Sequence, residues 1–502
     1  MKKSTLLALS GMFLAVNSCQ KQETPLQSAP TPDPIELDRL IQNKMTLYGE
    51  FLWEWASDEQ IWTALSNADH VLSVGYQPAG EKDVADRLHL INIQSAEWHQ
   101  ARDAVMQIVL ENERSFNPSV TEKSLLAFKE NPRLPVFCVF VNNPATVTAL
   151  RQSKLLRYAE PIGYEPYMTN TAADRSGSGC DSNDPEPGLI SGTDYENISP
   201  DCKRSWNYAT SHKINNAWGN STGAGCIVTI IDTGCSDDQD NLGEAFNQGD
   251  SQGRNIEKHV TLPPDGPPET PHDQCGHGTS MLGACAAPRG EDGAAVGIAY
   301  NCDLVSIRAA ADVYLNESRE VVGVSEAFTQ AGDSDTKIIS MSMGRIITSN
   351  QIKDAIKYAY GKGKLIFAAA GTSFWWTSWF WGVIFPASMT ECSAVTGMKS
   401  NLTAACGDCH KGSKVDFVLV MERTSDGRTP LSLAMEGDDP STVGGSSVAT
   451  ASTAGIAALV WSRNPGFTRA QVFDKLKQNG NYWPNRNGNF GWGRINAFTA
   501  TH

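Results

Sequence analysis

KIISMSMGRIITSNQIKDAIKYAYGKGKLIFAAAG, Lys337 to Gly371, reads as strand, helix, strand. KIISMSMG and KLIFAAAG are short apolar runs bounded by glycine or polar residues, as expected of strands buried on both faces of a parallel sheet. Between them Ile352, Ala355, Ile356 and Ala359 recur at helical spacing, and Gly361 and Gly363 supply a stop. Two buried strands joined through a helix by short links form a βαβ unit. That places the chain in the α/β class, with a doubly wound, mostly parallel sheet. CIVTIIDTG (226–234) and CDLVSIRAA (302–310) are further runs of this kind, so the sheet extends toward the N-terminus.

Working outward, 502 residues are enough for two or three domains with cores of their own. The formal net charge of −15 argues against a nucleic-acid partner, because neutralising phosphates needs clustered Lys and Arg. Residues 36–165 form a first unit, with helical patterns at 35–55, 96–114 and 144–152, the strand-like LPVFCVFV from Leu134, and LLRYAEP at its end. Residues 166–203 are dominated by Gly, Ser, Asp and Pro and read as a linker. Residues 204–502 carry the βαβ patterns.

The N-terminus has the pattern of an export signal. Lys2 and Lys3 precede the apolar run Leu6 to Val16, which is too short for the ~20 residues of a membrane span. Cys19 follows a small residue, an arrangement that resembles the lipobox of bacterial lipoproteins. Residues 1–18 are then a signal peptide, Cys19 carries the lipid, and 19–35, rich in proline, is a tether. Ordinary secretion is the alternative. The expected place is the periplasm or the cell surface, held to the membrane through Cys19. Twelve cysteines fit that oxidising setting. Ten of them lie beyond residue 179 and could form up to five bridges.

Three segments carry chemistry. Asp232 ends an apolar strand, where open α/β sheets place their ligands, although a solvated strand end would look the same. His277 sits between Gly276 and Gly278, and glycines let backbone approach both ring nitrogens. A plain surface histidine is the alternative. Ser447 opens a helix rich in Ala, Gly and Ser (445–460), where free N–H groups favour developing negative charge. A simple helix cap would read the same way.

In the order Asp, His, Ser, these segments resemble the subtilisin-like serine proteases, the subtilases. NNAWGNSTGAGCIVTIIDTG, VGIAYNCDLVSIRA, ISMSMG and FGWGRINAFTA resemble further family segments, and the likeness spans residues 204 to 500. It implies a subtilisin-like catalytic domain with a serine endopeptidase activity on proteins or peptides. Asp232 would orient His277, His277 would act as base and then acid, and Ser447 would be the nucleophile. The register of Ala449 favours Ser447 over Ser446. Ser342, Met343 and Gly344 would pair with substrate as an added strand. The first unit, by its position and ending, would be a smaller α/β prodomain that makes the protein a zymogen and inhibits it. An adhesion or spacer domain is the alternative.

The resemblance also gives the aromatic stretch TSFWWTSWFWGV a place. Six of the eight residues from Phe374 to Trp381 are aromatic, and residues 365–390 contain no charge, so hydropathy alone would read a membrane span. A span there would split one sheet. It is expected to be a loop between two neighbouring strands, beside the specificity pocket.

Two departures from the family are informative. Thr372 stands where relatives have an asparagine that donates to the oxyanion, so the oxyanion hole would consist of Thr372 and the Ser447 N–H. This leaves open a peptide-binding pseudoprotease. Asn241 stands where relatives often have a calcium-binding aspartate, so no metal site is assigned; no cofactor is expected, with calcium left as a possibility whose site the sequence does not assign. Finally, Cys406-Gly407-Asp408-Cys409-His410 has the spacing of a c-type haem attachment. Haem and zinc are alternatives to a disulfide, for which Cys392 is a plausible partner.

Overall fold

The computed structural model describes residues 32–166, 180, 183–372 and 382–502. In the first unit, strands β1 (Val71–Tyr76), β2 (Val136–Phe140) and β3 (Leu156–Pro161) form an antiparallel sheet in the order β2-β1-β3. The helix read at 35–55 ends earlier, at Tyr48, because Gly49 takes a left-handed conformation and its N–H returns to Met45 O. A second helix, Ala96–Phe116, covers the sheet, and Pro144–Arg151 leads into β3.

The linker is less irregular than its composition suggests. Tyr195–Ile198 (β4) and Cys202–Ser205 (β5) pair as an antiparallel hairpin, so ordered structure begins before residue 204. Strands this short leave too few alternating positions to register as a period.

The main sheet has seven strands: β6 (Ile227–Asp232), β7 (Ile256–Val260), β8 (Asp303–Arg308), β9 (Ile338–Met341), β10 (Leu365–Ala369), β11 (Cys392–Lys399) and β12 (Val415–Glu422). Their order is β12-β11-β10-β9-β6-β8-β7, and every neighbouring pair is parallel. From β6 the chain goes to the edge strand β7 and returns to β8, which fills the place between them; it then crosses to β9 and winds outward on the other side through β10, β11 and β12. The βαβ unit read at 337–371 is β9, the helix Asn350–Gly361, and β10. β10 and β11 are neighbours in this sheet, so the aromatic stretch connects two of its strands; residues 373–381 lie outside the described residues. So do Cys19 and the proposed signal peptide. Among the described residues no helix is long and apolar enough to cross a membrane.

Helices cover both faces. On one side the helix Gly445–Arg463 lies across β9 to β12 and against the helix His277–Ala286. An added Cβ at Gly455 would stand 3.0 Å from Cys285 O, so a small residue is what lets these two helices approach. On the other side lie Ser318–Asp333 and Asn350–Gly361, and the first unit packs its sheet against this pair. One continuous apolar core runs from that unit into the main sheet.

The join between the two parts is polar as well as apolar, and it is buried. Arg157 makes a two-point pair with Asp354 at 2.6 and 2.9 Å. Glu160 accepts from the backbone N–H of Asn350 (2.6 Å) and Gln351 (3.2 Å) and so caps the 350–361 helix. Beyond β3, Glu165 accepts from Arg345 Nε at 2.6 Å and from the Tyr314 hydroxyl at 2.9 Å.

Candidate active site

Neighbouring strands of the main sheet depart in opposite directions from β6 and β9, and this switch point opens a crevice at their C-terminal ends. Ile231 is in register with Met341. The next residues, Asp232 at the end of β6 and Ser342 just past β9, therefore lie side by side at this end of the sheet. Asp232 is buried.

Local structure then brings His277 to Asp232. The buried Asp273 carboxylate accepts from the N–H groups of Cys275, Gly276 and Thr279 and from the Thr279 and Thr233 hydroxyls. It thereby fixes the start of the helix His277–Ala286. The Thr233 hydroxyl accepts in turn from Gly278 N–H at 2.9 Å. A Cβ on Gly278 would stand 2.3 Å from Gly234 O, so only glycine permits this contact between the β6 turn and the helix. The result is a 2.7 Å hydrogen bond between His277 Nδ1 and Asp232 Oδ1. An ionised carboxylate only accepts, so Nδ1 carries the proton and Nε2 is the basic atom. Asp232 Oδ2 is buried without a protein partner. Burial alone would lower the His277 pKa. The charge and hydrogen bond of Asp232, with further charge from Asp273 and Asp312, outweigh it, and the pKa is raised above the usual 6.5.

Ser447 is the third residue of the helix Gly445–Arg463, so its N–H is one of the first-turn donors without an intrahelical acceptor. Its hydroxyl donates to Ser342 O at 3.3 Å, and the Ser342 hydroxyl donates to Ser447 O at 3.0 Å. This reciprocal pair ties the helix to the end of β9. Among the described residues no hydrogen bond joins Ser447 to His277. Such bonds are often loose before substrate binds.

Thr372 lies at the same helix terminus, with its hydroxyl 3.1 Å from that of Ser446. The sequence offered Ser446 only as a rival nucleophile. Buried at 1% exposure, it is instead the partner of Thr372. An apolar cavity of about 40 Å³ opens beside Ser447, lined by Tyr314, Met343, Gly344, Gly371 and Thr372, with His410 behind. A Cβ on Gly371 would stand 2.6 Å from His410 Nδ1.

The Cys406–His410 motif is absorbed here. Cys406 and Cys409 are bonded to each other, Cys409 bridges to Thr372, and His410 Nδ1 is 2.8 Å from Gly382 O. Burial pushes the His410 pKa down to about 4, so the ring is neutral. Both sulfurs are taken, which does not fit a haem thioether or a zinc thiolate. Cys392 is a free, buried thiol and not a partner. Cys180 and Cys275 form the other disulfide. The remaining cysteines of the described residues, Cys138, Cys202, Cys226, Cys235, Cys285 and Cys302, are free and buried, packed as small apolar groups rather than paired.

One further expectation changes. Gly344 was expected to pair with substrate, but its N–H donates to Val313 O (3.1 Å) and its carbonyl accepts from Leu315 N–H (3.0 Å). The two rims of the crevice are zipped together there, because both present unpaired strand edges. A peptide must displace Val313–Leu315 to pair with Gly344. At the calcium position, Asn241 Oδ1 accepts from Gln248 Nε2 at 2.7 Å, and its own amide donates to Asp438. That carbonyl is already used, which does not fit a cation ligand. Among the described residues no cluster of His, Cys, Asp and Glu could hold a metal.

The profile of the subtilase family matches residues 223–493, more than half of the chain, and spans all three residues described above. The chain belongs to the subtilase family. This subtilase is 28% identical over 283 residues to alkaline elastase YaB of Bacillus sp. (strain YaB), covering 56% of the chain and 65% of that protein. The chain thus spans less than two thirds of that relative's length. Thermitase of Thermoactinomyces vulgaris is 27% identical over 292 residues, covering 57% of the subtilase and 91% of thermitase. Among solved structures, MycP1 from Mycobacterium smegmatis superposes with a TM-score of 0.47 at 19% identity, covering 64% of the subtilase and 91% of MycP1.

Proposed function

We propose that this subtilase is a serine endopeptidase, exported as a zymogen. The observation that carries the reading is the Asp232–His277 hydrogen bond at the sheet's switch point, near the first turn of the helix Gly445–Arg463 that carries Ser447. The Ser447 hydroxyl turns from Ser342 O toward His277 Nε2 and gives up its proton as Oγ attacks the peptide carbonyl carbon. The oxyanion takes the Ser447 N–H and the Thr372 hydroxyl as donors. Collapse breaks the C–N bond, and His277 returns the proton to the leaving amine. Water then hydrolyses the Ser447 ester by the same proton path.

The first unit supports a prodomain reading. Its exit at Glu165 touches Tyr314, which lines the crevice, and Cys180 is bonded to Cys275 two residues before His277. We place the processing cut between residues 166 and 180. The N-terminal pattern supports export, and Cys19 supports a lipid anchor at the periplasmic face or the cell surface. Labelling by a fluorophosphonate tests the catalytic reading: wild type should label at Ser447 and Ser447→Ala should not. A wild-type protein that binds peptides but never labels would make it a peptide-binding pseudoprotease.

A further inference from the structure

Arg345 directly follows the crevice residues Ser342, Met343 and Gly344, and it is a fully buried arginine at 1% exposure. Its backbone is fixed by Arg345 N–H donating to Phe385 O at 2.9 Å. Its guanidinium spends its hydrogen bonds on the exit of the first unit: Nε to Glu165 Oε1 (2.6 Å), Nη1 to Ile162 O (3.1 Å) and Nη2 to Tyr164 O (3.1 Å). The other Glu165 oxygen accepts from Tyr314, a residue of the cavity beside Ser447.

All of these acceptors belong to the part that departs on activation. A buried cation stripped of its partners is costly, whereas a fork already held in place binds a carboxylate with little loss of freedom. The fork reads more than charge. It takes one carboxylate, the carbonyl just before it and the carbonyl three residues before it, so it holds backbone as well as a side chain of the segment just past β3. Glu165 therefore occupies a subsite rather than merely plugging a gap.

We propose that the mature crevice selects peptides bearing a glutamate on the N-terminal side of the scissile bond, bound by Arg345 and Tyr314 as Glu165 is. This rests on the peptidase reading and names its substrate class. A protein that only trapped its own prodomain would have no use for the subsite afterwards.

The test uses the self-processed wild-type protein and fluorogenic peptides with Glu, Asp, Gln or Leu at each of several positions before the cleaved bond. At one position Glu should exceed Gln in kcat/KM by roughly ten- to a hundredfold, as loss of a charged hydrogen bond of about 1.5–3 kcal/mol gives. Asp should fall between them. Arg345→Gln should bring the Glu/Gln ratio toward one. Tyr314→Phe, which keeps the ring, should shrink the ratio even if Arg345→Gln fails to fold. Equal rates for Glu and Gln at every position would overturn the proposal and leave the peptidase intact. If no peptide is cut and Ser447 does not label, the peptidase reading fails. Competition by unlabelled Glu and Gln peptides against a fluorescent Glu peptide, read by anisotropy on protein cut between residues 166 and 180 by an added protease and freed of its first unit, then decides the subsite on its own: tighter Glu binding upholds it and equal binding overturns it.

Discussion

His277 Nδ1 stands 2.7 Å from Asp232 Oδ1, with the carboxylate buried beneath the partly exposed ring. The charge it brings raises the histidine pKa, and catalysis needs the neutral ring. The rising limb of the kcat/KM profile should therefore lie above pH 6.5. The sign is opposite for folding. The pair stabilises most while His277 is protonated, below its unfolded value, and that contribution fades as pH rises through the raised pKa. Asp232→Asn should lower kcat by about four orders of magnitude, because the ring loses its orientation and tautomer. A limb at or below pH 6.5, or an active Asp232→Asn, would contradict the assignment.

Ser447→Ala should abolish peptide hydrolysis and any cut between residues 166 and 180, with expression unchanged. Ser446→Ala should remove only the partner of Thr372 and change kcat by less than about tenfold. Mass spectrometry of the purified chains and a peptide assay distinguish them. The reverse outcome, an inactive Ser446→Ala beside an active Ser447→Ala, would show the register to be wrong.

Thr372 holds its hydroxyl on Ser446 at the helix terminus where the proposed oxyanion would form. Thr372→Ala should reduce kcat roughly tenfold or more, with little change in KM, since the bond exists only in the transition state. Thr372→Asn should raise kcat, because a longer amide reaches further past Ser446. Identical kcat for all three would remove Thr372 from the oxyanion hole.

Glu160 caps the 350–361 helix from the other part of the chain, and burial pushes its pKa up to about 7 against the pull of its N–H donors and Arg345. Docking of the first unit thus takes up a proton. It should be tightest below the ordinary glutamate value and weaken as pH rises through about 7. The dissociation constant of the processed complex, followed by size-exclusion chromatography from pH 5 to 9, should rise with pH. Glu160→Gln should flatten that dependence, and a slope that survives the substitution would assign it elsewhere.

The alternation of buried strands with a small-faced helix made the doubly wound sheet legible, because fully buried strands need unbroken apolar runs. Asp232, His277 and Ser447 were legible for a related reason: each sits beside glycines or small residues that its close contacts require. The Arg345–Glu165 pair was not. Its members lie 180 residues apart, and nothing local marks a charged residue that will be buried. The same holds for the zipped rims at Gly344, which depend on the approach of Val313, and for Cys406 and Cys409, whose spacing fits three chemistries until a fold chooses one.

Both described disulfides, Cys180–Cys275 and Cys406–Cys409, lie on the C-terminal side of the proposed cut, so neither spans it. The proposed lipid on Cys19 would lie on the other side. After processing, an alkaline wash should strip the catalytic part from membranes and leave the N-terminal fragment behind, whereas Cys19→Ala should send both to the soluble fraction. A catalytic part that stays with washed membranes would point to residues 374–381 as its attachment. On this reading the mooring and the engine would be on separate vessels once a single bond is cut. Before release the enzyme would be held, blocked, within reach of a short tether. Afterwards its territory would be the whole compartment, and the lifetime of the buried seam at Arg157, Glu160 and Glu165 would set when it leaves.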